Sequence, residues 1–176
     1  MRGSRPRKLQ DEAALYDYAI RALGRRMHSV SELKRLMQRR ADGDNAAANI
    51  ERVVARLKEQ NYLNDSTFAS SFTRYRKVNE KFGKRRVVNE LRSRGVHSEV
   101  ISDAVNASYD DNDEEQLARS YLHRKRITKP SDQKQTARIF RRLMQAGFSS
   151  RTIVRILNKW DVDTETITAL EEEEPE

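Results

Sequence analysis

Residues 87–105 read VVNELRSRGVHSEVISDAV, and residues 139–157 read IFRRLMQAGFSSRTIVRIL. In both stretches a leucine is followed four residues later by glycine and ten residues later by isoleucine: Leu91, Gly95 and Ile101, then Leu143, Gly147 and Ile153. Apolar residues three and four apart share a helix face, and a glycine after such a run is typical of a helix C-terminus. The two stretches therefore predict one helix–turn–helix unit that recurs after 52 residues.

A third copy precedes these two. Leu33 and Leu36 form the same apolar pair, but Ile50 follows after fourteen residues, and the four extra residues coincide with the loop-like sequence at 42–45. Ser29 and Glu32 have the spacing of a capping box, which starts a helix. With helical periodicity nearly throughout, we predict an all-α fold, an elongated and curved array of three tandem three-helix repeats with about nine helices.

The predicted divisions follow this pattern. They are a basic, disordered amino-terminal segment at 1–10, three-helix repeats at 11–62, 63–108 and 109–160, and an acidic, disordered tail at 161–176.

Charge is distributed unevenly along the 176 residues. The chain has 35 Lys and Arg against 27 Asp and Glu, and its last sixteen residues hold eight acids and no base. The first 160 residues therefore carry 35 − 19 = +16. Such a basic body indicates contact with phosphate groups or with an acidic protein surface, although a well-solvated helical surface would have the same composition.

Several functional classes have no support in the sequence. There is no cysteine for a disulfide, a thiolate metal site or a nucleophile, and no glycine-rich phosphate loop. His28, His97 and His123 are far apart and are interpreted as surface or capping residues. The acidic run at 110–115 lacks the glycine of a calcium-binding loop. We therefore expect no enzyme, no metal, no cofactor and no membrane span, and the absence of cysteine fits a cytoplasmic location.

Four motifs follow one another along the chain. In chain order they are Arg26-x-x-Ser29-x-x-Glu32-Leu33-x-x-Leu36, Tyr62-Leu63-Asn64-Asp65-x-x-Phe68-Ala69-x-x-Phe72-x-x-x-Arg76, Gly83-x-x-x-Val87-x-x-Glu90-Leu91-x-x-x-Gly95-Val96, and Leu143-x-x-x-Gly147-Phe148-Ser149. Each motif is short, but in combination and in this order they resemble the bacterial RecX regulators, and the resemblance spans about Tyr16 to Trp160. Most of their residues have the types expected of core positions, helix caps and turns.

The resemblance implies a regulator that binds in the groove of the RecA–single-stranded DNA filament. It implies lower RecA ATP hydrolysis, strand exchange and repressor cleavage in the SOS response, and hence a role in DNA repair and homologous recombination. Some family members also bind single- or double-stranded DNA directly. We expect a monomer, with partner contacts on these basic residues: Arg25, Arg26, Arg74, Arg76, Lys84, Arg85, Arg86, Arg92, Arg94, Arg124, Lys125 and Arg126.

Two alternatives remain open from the residues alone. Three-helix units with a glycine turn are also typical of helix-turn-helix proteins that act on DNA without RecA. The third helix of the last repeat has suitable bases, Arg151, Arg155 and Lys159, whereas its counterpart at 98–105 has two acids and no base. A helical scaffold for acidic proteins is the other alternative.

Overall fold

The structure, a computed structural model, describes residues 8–110 and 113–173. Within these residues the regular elements are all helices, and β structure is limited to an isolated bridge between Leu9 and Ala41. This confirms the all-α prediction. The helices are α1 Glu12–Leu23, α2 Val30–Gln38, α3 Ala46–Glu59, α4 Asp65–Tyr75, α5 Lys84–Ser93, α6 Ser98–Asn106, α7 Glu114–Arg124, α8 Gln133–Gln145, α9 Ser150–Asn158 and α10 Thr164–Glu173. A π-helical turn, Arg76–Glu80, follows α4 directly.

Local capping explains where several helices begin. The Ser29 hydroxyl accepts from the Glu32 amide at 3.1 Å, and the Glu32 carboxylate accepts from the Ser29 amide at 3.2 Å, so the predicted capping box is present at α2. Asp65 is the first residue of α4 but caps a different helix. Its carboxylate accepts from the Val30 amide at 2.8 Å and so caps α2, while Asn64 caps α4. The Asp65 contact therefore ties the starts of α2 and α4 together within unit 1.

Contacts divide the chain into two units. Unit 1 comprises Met1–Ala69 with Leu91–Val100, and unit 2 comprises Ser70–Glu90 with Ile101–Glu176. In unit 1, α1, α2 and α3 pack on one another around a core of Leu15, Leu33, Met37, Val53 and Leu57, all with no exposed surface. In unit 2, α9 packs against α7, α8 and α10 around Phe140, Leu143, Phe148, Ile153, Ile156 and Leu157.

One close contact at a glycine, the glycine contact, recurs at the predicted interval. In unit 1 a Cβ added to Gly95 would lie 2.5 Å from the Ser31 Cβ, and in unit 2 a Cβ added to Gly147 would lie 2.4 Å from the Arg86 amide nitrogen. Gly83, which lies 52 residues after Ser31, approaches Gly147 even more closely. Gly95 and Gly147 both have positive φ, as the sequence predicted. The recurrence supports a repeat of 52 residues, and the three repeat boundaries remain a prediction.

Both predicted disordered ends are wrong in part. Residues Thr164–Glu173 form α10, in which Ile167 and Leu170 are buried while Glu165 and Glu172 are exposed. At the other end, the Leu9 amide donates to the Arg40 carbonyl at 2.8 Å and its carbonyl accepts from Asp42 at 2.9 Å. Residues 1–7 and 174–176 lie outside the described residues.

Candidate partner-binding surface

The twelve predicted contact residues divide between the two units. Arg25, Arg26, Arg92 and Arg94 belong to unit 1, and Arg74, Arg76, Lys84, Arg85, Arg86, Arg124, Lys125 and Arg126 belong to unit 2. Within each unit some of these side chains are held by the fold and others lie at the surface. The two groups have different roles, so we take them in turn.

In unit 1, Arg94 is held by the fold. Its guanidinium pairs with the Glu32 carboxylate, which also completes the capping box of α2. Arg26 lies 4.0 Å from the same carboxylate, but its side chain is 59% exposed, and Arg25 is exposed as well. Arg94 therefore positions the start of α2, whereas Arg25, Arg26 and Arg92 are exposed and accessible to a partner.

His28 corrects one sequence-based interpretation. It was interpreted as a surface or capping residue, yet it is buried immediately before the α2 cap. Burial lowers the pKa of His28 below its usual value, and the positive charge of Arg26 adds to this effect. The imidazole is therefore favoured in its neutral form in the folded chain. Its Nδ1 has no hydrogen-bond partner among the described residues.

In unit 2, Arg76 and Arg86 form a cluster with Glu90 and Phe82. Arg76 Nε lies 2.8 Å and Arg86 Nε 3.0 Å from the two Glu90 oxygens. The Arg86 guanidinium also stacks 3.8 Å from the Phe82 ring centroid and donates to the Gln145 carbonyl at 3.2 Å. These contacts join the π-helical turn, α5 and the C-terminal end of α8. Arg76 and Arg86 are therefore positioning residues first, whatever surface they also offer.

A basic cleft of about 520 Å³ brings predicted and unpredicted residues together in unit 2. Lys84 and Arg85, at the start of α5, line it opposite Arg151 and Arg155, which lie one helical turn apart on α9. Guanidinium groups offer paired N–H donors that match phosphate and carboxylate oxygens. This basic cleft can therefore bind an anionic group with several donors at once.

Three carboxylates, Glu114, Glu115 and Asp110, also line the basic cleft. Glu114 accepts from the Ser149 amide at 2.8 Å and from the Ser149 and Thr152 hydroxyls, so it caps α9. Hydrogen bonds from Lys159 and Arg119 lower the pKa of Glu115. Because Glu115 is already paired with these two cations, it offsets the cations of the cleft less than an unpaired carboxylate would.

Tyr109 lies at the edge of the basic cleft and supports it. Its hydroxyl donates to the Phe82 carbonyl at 2.8 Å. Burial raises the pKa of Tyr109 well above its ordinary value, with a further contribution from the charge of Glu90. The phenol therefore stays protonated and keeps this hydrogen bond at all physiological pH values.

The remaining predicted contact residues of unit 2 lie on α4 and at the end of α7. Arg124, the last residue of α7, lies 3.4 Å from Glu80 of the π-helical turn. Lys125 Nζ lies 5.9 Å from the centroid of the Tyr121 ring. Arg126 adopts φ 53°, the left-handed conformation in which the chain leaves α7. Arg74 is exposed on α4.

Sequence reasoning left some cationic positions out of the predicted surface. Arg151 and Arg155 were assigned only to the DNA-binding alternative, although their spacing of four residues places them on one face of α9. Lys81 and Arg119, which line a second groove, were not assigned to it either. Within residues 8–110 and 113–173, no three His, Cys, Asp or Glu side chains are grouped to hold a metal ion. In the same residues, no helix combines the length and the apolar character needed to cross a membrane.

A close glycine contact that recurs within both units, together with a cationic cleft, defines a helical-repeat protein with a basic surface. A family model described as "RecX, second three-helix domain" matches residues 64–105. The chain is 35% identical over 150 residues to the regulatory protein RecX of Mycolicibacterium smegmatis, covering 82% of this chain and 77% of that protein. It is 32% identical over 150 residues to the regulatory protein RecX of Leptothrix cholodnii, covering 85% and 91%.

Solved structures agree with the fold. The crystal structure of RecX from Lactobacillus salivarius is similar with a TM-score of 0.61 and 19% identity, covering 86% of this chain and 97% of that one. A second structure, described as a crystal structure of regulatory protein RecX, is similar with a TM-score of 0.64, covering 84% and 71%. The chain belongs to the RecX family of regulatory proteins, which confirms the identification made from its motifs.

Proposed function

We propose that this chain regulates the RecA recombinase by binding in the groove of the RecA–single-stranded DNA filament. Binding there lowers ATP hydrolysis, strand exchange and repressor cleavage, and so restrains the SOS response. The observation that carries the proposal is membership of the RecX family across 82% of the chain. We further propose that the chain acts as a monomer in the cytoplasm, without catalytic activity or a cofactor.

The basic cleft supports this proposal through its chemistry. A nucleoprotein filament presents DNA phosphates beside protein carboxylates, and Lys84, Arg85, Arg151 and Arg155 supply donors for either group. A chain that reaches more than one filament subunit gains from effective concentration, so individually weak contacts still resist filament rearrangement. We assign direct contacts to the exposed bases of each unit and a positioning role to Arg76, Arg86 and Arg94.

Single-stranded-DNA-dependent ATP hydrolysis by RecA tests the proposal. The chain is added well below one copy per RecA subunit, and excess free DNA is then titrated in. Hydrolysis falls and stays low if the chain acts on the filament. A double variant, Lys84→Glu with Arg85→Glu, should lose at least about tenfold in inhibitory potency, because it reverses two charges of the cleft. Unchanged ATP hydrolysis with the native chain contradicts the proposed function.

Direct DNA binding is the second candidate function. Arg151 and Arg155 favour it, because they occupy exposed positions on α9, the third helix of the last predicted repeat. This candidate predicts inhibition only at concentrations that coat the DNA, relieved by added DNA. It also predicts an affinity for naked DNA that falls steeply with salt, with a log–log slope that counts the phosphates neutralised.

A further inference from the structure

An open groove of about 660 Å³ lies beside the π-helical turn in unit 2. We call it the π-turn groove and define it by its lining residues: Val78, Asn79, Lys81, Gln116, Arg119, Ser120, His123 and Arg124. Arg124 alone of these belongs to the predicted contact residues. The groove shares no lining residue with the basic cleft.

The charge of the π-turn groove has one sign. Lys81, Arg119 and Arg124 are cationic, and none of the eight lining residues is a carboxylate. Glu115 and Glu80 pair with the two arginines, yet the arginine side chains remain 43% and 41% exposed. A guanidinium has five N–H donors, so one ion pair leaves others unused. The groove can therefore bind further carboxylates.

An exposed apolar side chain lies within this cationic rim. Val78 belongs to the π-helical turn and is 54% exposed, one of four large hydrophobic residues that are so accessible in the described chain. Single-turn π-helical segments are rare and occur frequently at functional sites. Removing the Val78 side chain from water would favour association. The groove thus combines one apolar contact point with surrounding positive charge.

One of these cations, Lys81, has a strained backbone conformation at the end of the π-helical turn. Lys81 has φ 57° and ψ 30°, the left-handed region that glycine adopts without cost and other residues adopt at a cost. Asn61, Arg126 and Asp161 also have positive φ, whereas glycine has it at Gly95 and Gly147. A lysine here lowers stability relative to glycine, and it lines the π-turn groove in return.

We propose that the π-turn groove docks an acidic peptide segment of the partner protein, with one apolar residue of that segment on Val78. The inference rests on the proposed function, which makes the RecA filament the partner. Single-stranded nucleic acid fits less well. Its binding sites offer several aromatic rings for base stacking, and the imidazole of His123 is the one aromatic ring among the eight lining residues. The phosphate groups of a nucleic acid would also give Val78 no apolar contact, whereas an aliphatic side chain of a peptide would cover it.

Affinity for the filament tests the inference through matched charge reversals in the full chain. Lys81→Glu should weaken binding to RecA-coated DNA about tenfold, because it reverses a charge at the docking site. Lys58→Glu makes an equal charge change at an exposed position of α3 in unit 1, so it should leave the affinity within about twofold. A third variant, Lys81→Gly, relieves the backbone strain, so it should fold at least as well as the native chain and still bind several-fold more weakly.

Photocrosslinking identifies the bound segment. Benzoylphenylalanine at position 78 is irradiated in the complex with the assembled filament, and the crosslinked peptides are sequenced by mass spectrometry. An Asp- and Glu-rich protein segment with a nearby apolar residue supports the inference. Crosslinks to DNA, crosslinks to a segment without acids, or equal losses in the Lys58 and Lys81 variants overturn it. If the native chain does not bind the filament, the proposed function itself fails. If the native chain binds but one of the overturning results is obtained, only the docking inference fails.

Discussion

Gly83→Ala should destabilise unit 2 by about 2–4 kcal/mol. An added Cβ would lie 2.2 Å from the Gly147 carbonyl oxygen and 2.4 Å from its carbon, so backbone must move by about an ångström to reach ordinary van der Waals contact. That shift weakens two hydrogen bonds, from the Gly83 amide to the Ala146 carbonyl at 2.8 Å and from the Arg85 amide to the Gly147 carbonyl at 3.3 Å. A hydrogen bond contributes about 1 kcal/mol, so two bonds that each lose about half of this cost about 1 kcal/mol together, and overpacking of a rigid contact adds about 1–3 kcal/mol.

Urea unfolding of the full chain measures this effect. Trp160, the chain's single tryptophan, lies in unit 2, so its fluorescence follows that unit while circular dichroism follows all helices. Gly24→Ala is the matched control. The atom nearest to its added Cβ is 3.4 Å away and its φ is −66°, so alanine should be neutral or stabilise by up to about 1 kcal/mol. A loss below about 0.5 kcal/mol in the Gly83 variant would refute the role assigned to this contact.

Three further predictions concern stability. Leu91→Ala should cost about 2–5 kcal/mol in chemical denaturation, because Leu91 has no exposed surface; a loss under about 0.5 kcal/mol would show that it is not core. Glu114→Ala should cost about 1–3 kcal/mol, because it leaves the Ser149 amide and two hydroxyls without their acceptor, and an unchanged urea midpoint would contradict this. For His28 the folded pKa is below 6.5, so the unfolded chain binds more protons between the two pKa values. The free energy of unfolding should therefore be highest above about pH 6.5 and fall as the pH drops toward the folded pKa. His28→Gln should reduce this pH dependence. If the native chain and the variant lose the same unfolding free energy between about pH 7.5 and 5.5, the role of His28 is refuted.

The sequence predicted the local structure well because local physics determines it. Helical periodicity, the Ser29 capping box and the positive φ of Gly95 and Gly147 all depend on residues close in the chain. Periodicity left single steps open, however. Leu36, paired with Leu33 in the apolar pattern, is only partly buried, whereas its neighbour Met37 is fully buried. Adjacent apolar residues fit a helical stripe almost equally, and only packing decides between them.

The candidate surface could be predicted in composition and not in geometry. Arg25 and Arg94 look alike in the sequence, but Arg94 pairs with the Glu32 carboxylate, whereas Arg25 is exposed. That difference arises from a residue far along the chain, because Glu32 lies 62 residues from Arg94. The acidic end misled for another reason, because the high charge of 161–176 hid the pair Ile167 and Leu170 that folds α10.

The glycine contact has a consequence for how such arrays change length. Each glycine contact pairs a small residue near the start of one helix with a glycine 64 residues further along the chain. The pairs are Ser31 with Gly95 and Gly83 with Gly147. A segment of 52 residues therefore contains one half of the contact for its predecessor and one half for its successor. Duplicating or deleting such a segment in a gene leaves every junction with a matching pair. Growth by whole units then needs no new interface to evolve, and a single bulky substitution at either position breaks the junction.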